Sequence, residues 1–214
     1  MKTNDEYKQL SINEFNKAAP KYESNNSGIY EMCKDDYPPI LEEIRKKDFE
    51  TLLDAGCATG PMLSLLTKEY PEKKYVGLDL SPKMIETAKK KNLPHTEFIE
   101  GDCENMPLKN NTFDIVINSQ SFHHYPNPQS FFNEVYRVLK PGGKLILRDN
   151  TSAHKTILFF MNNVGMKIAN LTGHGDVKAS SLNEITEYCR TSGLKIQRLE
   201  SQKKFRLHLV ATKE

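Results

Sequence analysis

TLLDAGCATG, residues 51–60, reads as a buried strand followed by a turn of small residues and the start of a helix. This order brings backbone N–H groups and a carboxylate to one point, at the end of a strand. Asp54 stands two positions before Gly56, where a dinucleotide-binding turn would hold a pyrophosphate. Two like charges about 4 Å apart cost roughly 4 kcal/mol at an effective dielectric near 20, so a pyrophosphate is disfavoured. The stretch therefore favours a ligand that is cationic at this point.

The composition is typical of a single-domain protein with an even charge balance. A chain of 214 residues suffices for one core. The 30 basic against 28 acidic residues are too even a balance for a nucleic-acid or anionic-membrane partner. The four cysteines show no paired spacing, which predicts reduced thiols rather than a zinc site or a disulfide framework. The chain starts without an apolar leader, and its apolar run 157–161 is too short to span a bilayer, so we expect a cytoplasmic protein without membrane insertion.

From Phe49 onward, apolar runs alternate with helical patterns, which predicts a parallel sheet covered on both faces. The KPGG stretch at 140–143 is predicted to break the chain before the fifth strand. Together these patterns predict a doubly wound, Rossmann-like, mostly parallel α/β sheet of seven strands that ends in an antiparallel hairpin. The predicted strands are 51–54, 74–79, 96–100, 113–118, 143–148, 194–200 and 204–212, and helices fall near 60–69, 82–91, 128–139, 157–171 and 181–191.

The first 48 residues are expected to form a helical cap or lid over residues 49–214. Residues 1–12 are polar and predicted to be frayed. Phe15, Ala18 and Tyr22 fall at helical spacing before the soft stretch 25–28. A second helix, 39–47, carries an apolar stripe and is interpreted as a packing helix.

Four motifs in this order resemble those of class I S-adenosylmethionine-dependent methyltransferases. They are DAGCATG at 54–60, VGLDLS at 76–81, GDC at 101–103 and LKPGG at 139–143. The likeness covers roughly residues 13 to 212. Within this class, the sequence resembles the branch that includes ubiquinone and menaquinone C-methyltransferases and related small-molecule methylases. It implies S-adenosylmethionine as methyl donor and S-adenosylhomocysteine as product.

Ala58 departs from the pattern of that branch, which commonly has a second glycine at this place. An alanine is tolerated if its backbone angles are ordinary. Otherwise it implies a slightly wider turn, in which the donor sits differently.

The donor carries a sulfonium, an ammonium and a carboxylate, so its methionine end needs acceptors for the first two and N–H donors for the third. We expect Asp54 to supply acceptors, and the turn that includes Gly56, Cys57 and Gly60 to supply N–H groups and close approach. The alternative for Asp54 is a structural aspartate that caps the helix or the turn.

Asp79 ends the second strand at the spacing where an acidic residue meets a ribose diol. Its alternative is the cap of the next helix, a position that Ser81 fills better. The resemblance also implies that Leu80 and Met84 lie against the adenine, although core packing explains either residue equally well.

Three further contacts to the donor are implied by the resemblance. Asp102 and Cys103 are expected at the adenine, and Asn118 with Ser119 near the methionine end. Tyr22 belongs to a stretch that loosely resembles a helix folded over the donor in this branch. Its alternative is an ordinary surface tyrosine.

His123 and His124 follow the fourth strand, where the methyl group should point. An imidazole near neutral pKa suits a general base, so both are candidate catalytic residues, with packing as the alternative. No metal site is predicted, because adjacent side chains diverge on a strand or a helix and no third ligand lies at suitable spacing.

The acceptor is expected to be a small molecule, since no basic stripe or nucleic-acid recognition module is present. Residues 151–178, where the family varies most, form a lid-like insertion whose apolar stripe either packs into the core or lines an acceptor pocket. Arg148 and Asp149 either orient a charged acceptor or form a surface pair.

Two other functions remain open from the sequence. A protein that binds the adenosyl ligand without catalysis is compatible with the lack of an unambiguous base. A nicotinamide-dependent oxidoreductase is suggested only by the glycine turn and Asp79, and the Gly-x-x-x-Gly spacing from Gly56 counts against it.

Overall fold

The computed structural model describes residues 2–24 and 29–214, and its centre is one seven-stranded sheet. The strands lie in the order β3-β2-β1-β4-β5-β7-β6, and β7 runs antiparallel to both of its neighbours while the other pairs are parallel. This confirms the predicted fold class. The strands are β1 Thr51–Ala55, β2 Lys74–Asp79, β3 Thr96–Glu100, β4 Phe113–Ser119, β5 Leu139–Asn150, β6 Leu194–Gln202 and β7 Arg206–Lys213.

Helices cover both faces of the sheet. They are α1 Asn4–Ala18, α2 Ile29–Lys34, α3 Tyr37–Arg45, α4 Pro61–Glu69, α5 Pro82–Lys89, α6 Pro128–Val138, α7 Lys155–Phe160, α8 Met166–Leu171 and α9 Leu182–Ser192. A π-helical turn, Met161–Gly165, joins α7 to α8, and a 3-10 turn, Phe122–His124, follows β4.

The core lies in two layers, one on each side of the sheet. Successive side chains of a strand point to opposite faces, so Leu52 packs in one layer with Ile40 of α3, and Leu53 packs in the other with Phe131 of α6. Ile40 and Ile44 are fully buried or nearly so, which confirms α3 as a packing helix.

The prediction of a frayed N-terminus is wrong. Thr3 and Glu6 form a capping box, in which each side chain accepts from the backbone N–H of the other residue, and α1 begins directly after Thr3. Lys8 on this helix forms ion pairs with Asp102 and Glu104, which follow β3 in the chain. The soft stretch predicted at 25–28 lies outside the described residues.

The prediction that KPGG separates α6 from β5 is also wrong. Strand β5 already starts at Leu139, which pairs with Phe113, and the register then shifts before Ile115 pairs with Lys144. The extra residues are absorbed inside the strand, where Gly142 takes a φ of +74°.

Ala58 takes a φ of +48°, in the left-handed region, between Gly56 at +81° and Gly60 at +75°. The condition of ordinary backbone angles is therefore not met at this position. An L-residue in this region costs roughly 1–2 kcal/mol, a cost that glycine avoids.

Replacing Ala58 by glycine should relieve this strain. We expect Ala58→Gly to raise the free energy of unfolding by about 0.5–1 kcal/mol, because part of the relief is lost to the greater freedom of glycine in the unfolded chain. Urea denaturation measures the change. Ala88→Gly, inside α5, is the matched control and should be destabilising by about 1 kcal/mol or more; equal losses in both variants would contradict strain at Ala58.

Candidate functional site

The carboxyl ends of β1, β2, β3 and β4 meet at one edge of the sheet, as the parallel pairing requires. A cavity opens at this edge, under α1, and we call it the turn cavity. Its walls include Gly56, Ala58, Asp79, Leu80, Asp102, Cys103, Ser119 and Tyr22. A smaller space beside it, the strand-end cavity, is lined by Asp54, Gly56, Cys57, Tyr22 and Ser119, among others.

Asp79 is bound by the backbone on both sides. Its Oδ2 accepts from the N–H of Ala58 at 2.8 Å, and its Oδ1 accepts from the N–H of Ser81 at 2.9 Å. Ser81 itself caps α5 by accepting from Met84, as predicted. Burial raises the pKa of Asp79 to about 6.

Asp54 is buried at the end of β1, with 3% of its surface exposed. Burial and the neighbouring charge of Asp79 raise its pKa to about 8. Within the described part of the chain, no lysine, arginine or histidine forms an ion pair with Asp54 or Asp79. The edge thus holds a buried carboxylate, Asp54, and a half-buried one, Asp79, and no described cationic side chain is paired with either.

The turn does not offer its N–H groups in the way the sequence predicted. The N–H groups of Gly56 and Cys57 both donate to the carbonyl of Leu78, at 2.7 and 3.0 Å. The N–H of Gly60 donates to Cys57, and that of Ala58 is taken by Asp79. The turn closes on the end of β2, and each of these N–H groups already donates to an acceptor within the protein. They are therefore not available to a ligand.

Asn118 and Ser119 end β4. The Asn118 amide donates to the carbonyl of Ala55 at 2.8 Å and to the hydroxyls of Ser121 and Tyr125 at 2.8 and 3.0 Å. Among the described residues, neither Oδ1 of Asn118 nor the buried Oγ of Ser119 has a hydrogen-bond partner. Ser119 lines both the turn cavity and the strand-end cavity, whereas Asn118 lines neither, so the open Oγ of Ser119 indicates a site for a donor-bearing group.

Helix α1, through Lys8, Ser11 and Phe15, and Tyr22 cover the turn cavity from above. Lys8 holds the helix down by donating to Asp102 at 2.6 Å. Tyr22 is buried, so its interpretation as a surface tyrosine is wrong, and its hydroxyl donates to the sulfur of Cys33. Met84 is fully buried in a cluster with Tyr22 and does not line the turn cavity.

His123 and His124 lie in the 3-10 turn after β4, and both are buried. They line a third space, the histidine cavity, of about 320 Å³, which shares Phe15, Tyr22, Gln120 and His124 with the turn cavity. Their rings do not diverge, as the sequence argument assumed, because the 3-10 turn brings the ring centroids to 4.2 Å.

His123 is held between two carboxylates. Its Nδ1 lies 2.7 Å from Oδ1 of Asp149, and its Nε2 lies 3.3 Å from Oδ1 of Asp176. Burial opposes the charged ring, but the charges of Asp149 and Asp176 outweigh it and raise the pKa of His123. Burial and the charge of His123 together lower the pKa of His124, which stays neutral.

The interpretation of Arg148 and Asp149 as a surface pair is wrong. Both are buried, and they point to opposite sides of β5. Arg148 donates from Nε to Oδ1 of Asp36 at 2.8 Å, while Asp149 holds His123.

The insertion 151–178 exposes most of its apolar stripe, so core packing does not account for it. Phe160, Ile168 and Leu171 are 63%, 56% and 83% exposed, whereas Met166 is buried. Among the described residues no helix combines the length and apolarity needed to cross a bilayer.

Sequence reasoning missed four residues of this region: Lys8, Gln120, Asp36 and Asp176. Gln120 takes a φ of +52°, rare for this residue type, and donates to Asp36 at 2.7 Å. Of these four residues, the sequence could have indicated Lys8, because a capping box at Thr3 marks the start of an ordered α1 that carries it.

Residues 53–147 match the model of a family described as a methyltransferase domain. A phthiotriol/phenolphthiotriol dimycocerosates methyltransferase from Mycobacterium ulcerans is 30% identical over 148 residues, which cover 69% of this chain and 54% of that protein. A fatty-acid O-methyltransferase from Mycolicibacterium smegmatis is 36% identical over 99 residues, 46% of this chain and 36% of that protein. This chain therefore spans about half or less of the curated relatives it matches.

Solved structures agree on the fold. A SAM-dependent methyltransferase from Aquifex aeolicus superposes with a TM-score of 0.64 at 23% identity, over 83% of this chain and 89% of that one. The narrower likeness to quinone C-methyltransferases stays a prediction.

The uncompensated carboxylates predict an unusual pH dependence. The pKa of Asp54 is about 8 in the folded state against an ordinary value of 3.8, so between these pH values the folded state holds a proton that the unfolded state has lost. Stability therefore falls as the pH rises through this window. Asp54→Asn should remove this loss and raise the free energy of unfolding, by on the order of 2 kcal/mol more at about pH 8 than at about pH 5.

Urea denaturation of the ligand-free protein at both pH values measures this difference. Glu97→Gln, at an exposed position on β3, is the control and should show the pH dependence of the unsubstituted protein. A destabilised Asp54→Asn at the higher pH would contradict a buried, unpaired charge.

Proposed function

We propose that this chain, which carries a class I S-adenosylmethionine-dependent methyltransferase domain, transfers a methyl group to an oxygen atom of a small acceptor with an apolar part. The donor follows from the family. The acceptor class is our inference from the cavities and from the names of the relatives.

The observation that carries the proposal is a pair of carboxylates, buried Asp54 and half-buried Asp79, without a cationic partner among the described residues. S-adenosylmethionine fits this edge because its ammonium and sulfonium supply the missing positive charge. The open acceptor of Ser119 lies at the end of β4, in the walls of both cavities. These features support a ligand that is both cationic and rich in N–H donors.

We assign the residues as follows. Asp54 accepts from the ammonium, with Gly56 and Cys57 forming the wall beneath it, and Asp79 accepts from the ribose diol. Leu80, Asp102 and Cys103 lie on the adenine side of the turn cavity. Three other predicted residues support the site without contacting the ligand. Gly60 shapes the turn, Met84 packs under α1, and Asn118 shapes the end of β4.

When bound, the donor supplies a methyl group that is already activated on a sulfonium, so the main task of the protein is to align the acceptor. Tyr22 and Phe15 cover the turn cavity from the side of α1.

The histidine cavity is the proposed acceptor site, because it adjoins the turn cavity through His124 and Gln120. The polar side chains among the walls of the histidine cavity suit an acceptor whose nucleophilic atom is an oxygen. The exposed apolar stripe of the insertion 151–178 suits an apolar tail, and we propose that this insertion is a lid. His123 and His124 remain candidates for catalysis at this place. The alternative is a protein that binds the donor without transferring its methyl group.

Titration calorimetry with S-adenosylmethionine tests the donor site. We expect Asp54→Asn to weaken binding at least tenfold, because one charged acceptor, worth about 1.5–3 kcal/mol, is replaced by a neutral group. The same substitution should stabilise the ligand-free protein, so a folding defect cannot explain the loss. Unchanged affinity, with Glu97→Gln as the control, would contradict the assignment.

Transfer of labelled methyl groups tests the acceptor class. Incubation with a panel of fatty acids, hydroxylated lipids, phenols, quinones and amines should give label in a carboxyl or hydroxyl oxygen. Label confined to a carbon of the quinones would favour the C-methyltransferase branch. Donor binding without transfer to any member would favour the non-catalytic alternative.

A further inference from the structure

The histidine cavity contains three ligand atoms of a kind that bind transition metals. Nε2 of His123 lies 3.3 Å from Oδ1 of Asp176, and Nδ1 of His124 lies 4.0 Å from the same oxygen. All three atoms lie within 4.8 Å of one another. We propose that His123, His124 and Asp176 bind one divalent transition-metal ion, with its free coordination positions toward the histidine cavity.

The spacing of the three atoms fits a metal ion. Ligand atoms at about 2.1 Å from a tetrahedral ion are roughly 3.4 Å apart. The distance from His123 to Asp176 matches this value, and His124 has to approach Asp176 by about 0.6 Å. The nitrogens of the two histidines lie within 4.8 Å of each other, so the ring of His124 has to turn toward His123 as well. Neighbouring residues contribute two ligands here because the 3-10 turn Phe122–His124 places both rings on one side.

His123 is oriented as a metal ligand. Asp149 binds its Nδ1 at 2.7 Å and also accepts from its backbone N–H at 3.2 Å. These two contacts fix the orientation of the ring, in which Nε2 faces Asp176. A carboxylate behind the far nitrogen of a histidine is the usual support of a metal-binding imidazole.

His124 supplies an independent observation. It is 9% exposed, and among the described residues its Nδ1 has no hydrogen-bond partner. Phe15 holds the ring in place by an edge contact at 5.1 Å. A buried, fixed and unpaired nitrogen that points toward Asp176 is explained by a ligand between them.

Asp176 is brought to the histidines by backbone contacts. The N–H groups of Val177 and Lys178 both donate to the carbonyl of His123, at 2.9 and 3.1 Å. The segment after α8 is thereby tied to the turn after β4, so Asp176 stays in position without the metal.

The ligand set selects the class of ion. Two imidazoles and one carboxylate suit zinc(II), iron(II) or cobalt(II), whereas magnesium and calcium prefer oxygen ligands. Three protein ligands leave at least one position open. This position faces the proposed acceptor site, where it is suited to hold the oxygen atom that receives the methyl group. That second role rests on the proposed function, but metal binding does not.

Titration with zinc(II) after removal of metals by a chelator tests the site. We expect one ion per chain, with Asp176→Asn and His124→Gln each weakening binding at least tenfold. His174→Gln is the matched control, because His174 lies near the same cavity but binds Glu14, and it should bind zinc like the unsubstituted protein. Cobalt(II) should give the visible absorption of a site with nitrogen ligands, and magnesium should not compete.

Equal zinc affinity in Asp176→Asn, His124→Gln and the unsubstituted protein would overturn the site. The acceptor role has its own test, in which donor binding and methyl transfer are measured with and without zinc. Transfer that falls on chelation and returns with zinc, while donor affinity is unchanged, supports the role. Equal transfer with and without zinc overturns it, as does donor binding that is itself lost on chelation. A protein that binds no donor in either state speaks against the proposed function instead.

Discussion

The structure depends on two carboxylates at the ends of neighbouring parallel strands, buried Asp54 and half-buried Asp79. They lie near each other because β1 and β2 end at the same edge, where Asp54 pairs with Gly77, two residues before Asp79. Burial raises the pKa of both groups, and no described cationic side chain offsets their charge. The fold tolerates this cost because the turn from Gly56 to Gly60 and helix α1 are built around the two groups. Such a stored electrostatic cost is characteristic of a binding site.

The fold itself requires the glycines of the turn, apart from any role in ligand binding. A Cβ atom on Gly56 would lie 2.1 Å from the hydroxyl of Ser121, and one on Gly60 would lie 2.8 Å from the ring of Phe98. Both positions also need a positive φ. The conformation then turns the N–H of Ala58 toward Asp79, which fixes the carboxylate that we assign to the ribose.

Local patterns in the sequence predicted the sheet well. Alternating apolar runs and helical stripes are short-range signals, and the strands they predicted are present, with β5 starting earlier than expected. The acidic residues at strand ends could be predicted because parallel strands end at one edge. Met84 shows the limit of this reasoning, since an apolar residue beside the site packed under α1 instead.

Polar pairs between distant segments could not be predicted. Lys8 meets Asp102 across 94 positions, and His123 meets Asp149 across 26. Asp176 reaches the histidines only through the path of the chain after α8. Such contacts depend on tertiary packing, which no periodicity reports, and they account for the missed metal ligands and for the error about Arg148 and Asp149.

We infer that the ligand replaces a proton on Asp54. Calorimetry of S-adenosylmethionine binding at about pH 6, in buffers of different ionisation enthalpy, measures proton release directly; at this pH the amino group of the ligand is already charged. We expect release of about one proton per ligand from the unsubstituted protein and much less from Asp54→Asn. Tight binding without proton release in the unsubstituted protein would contradict it.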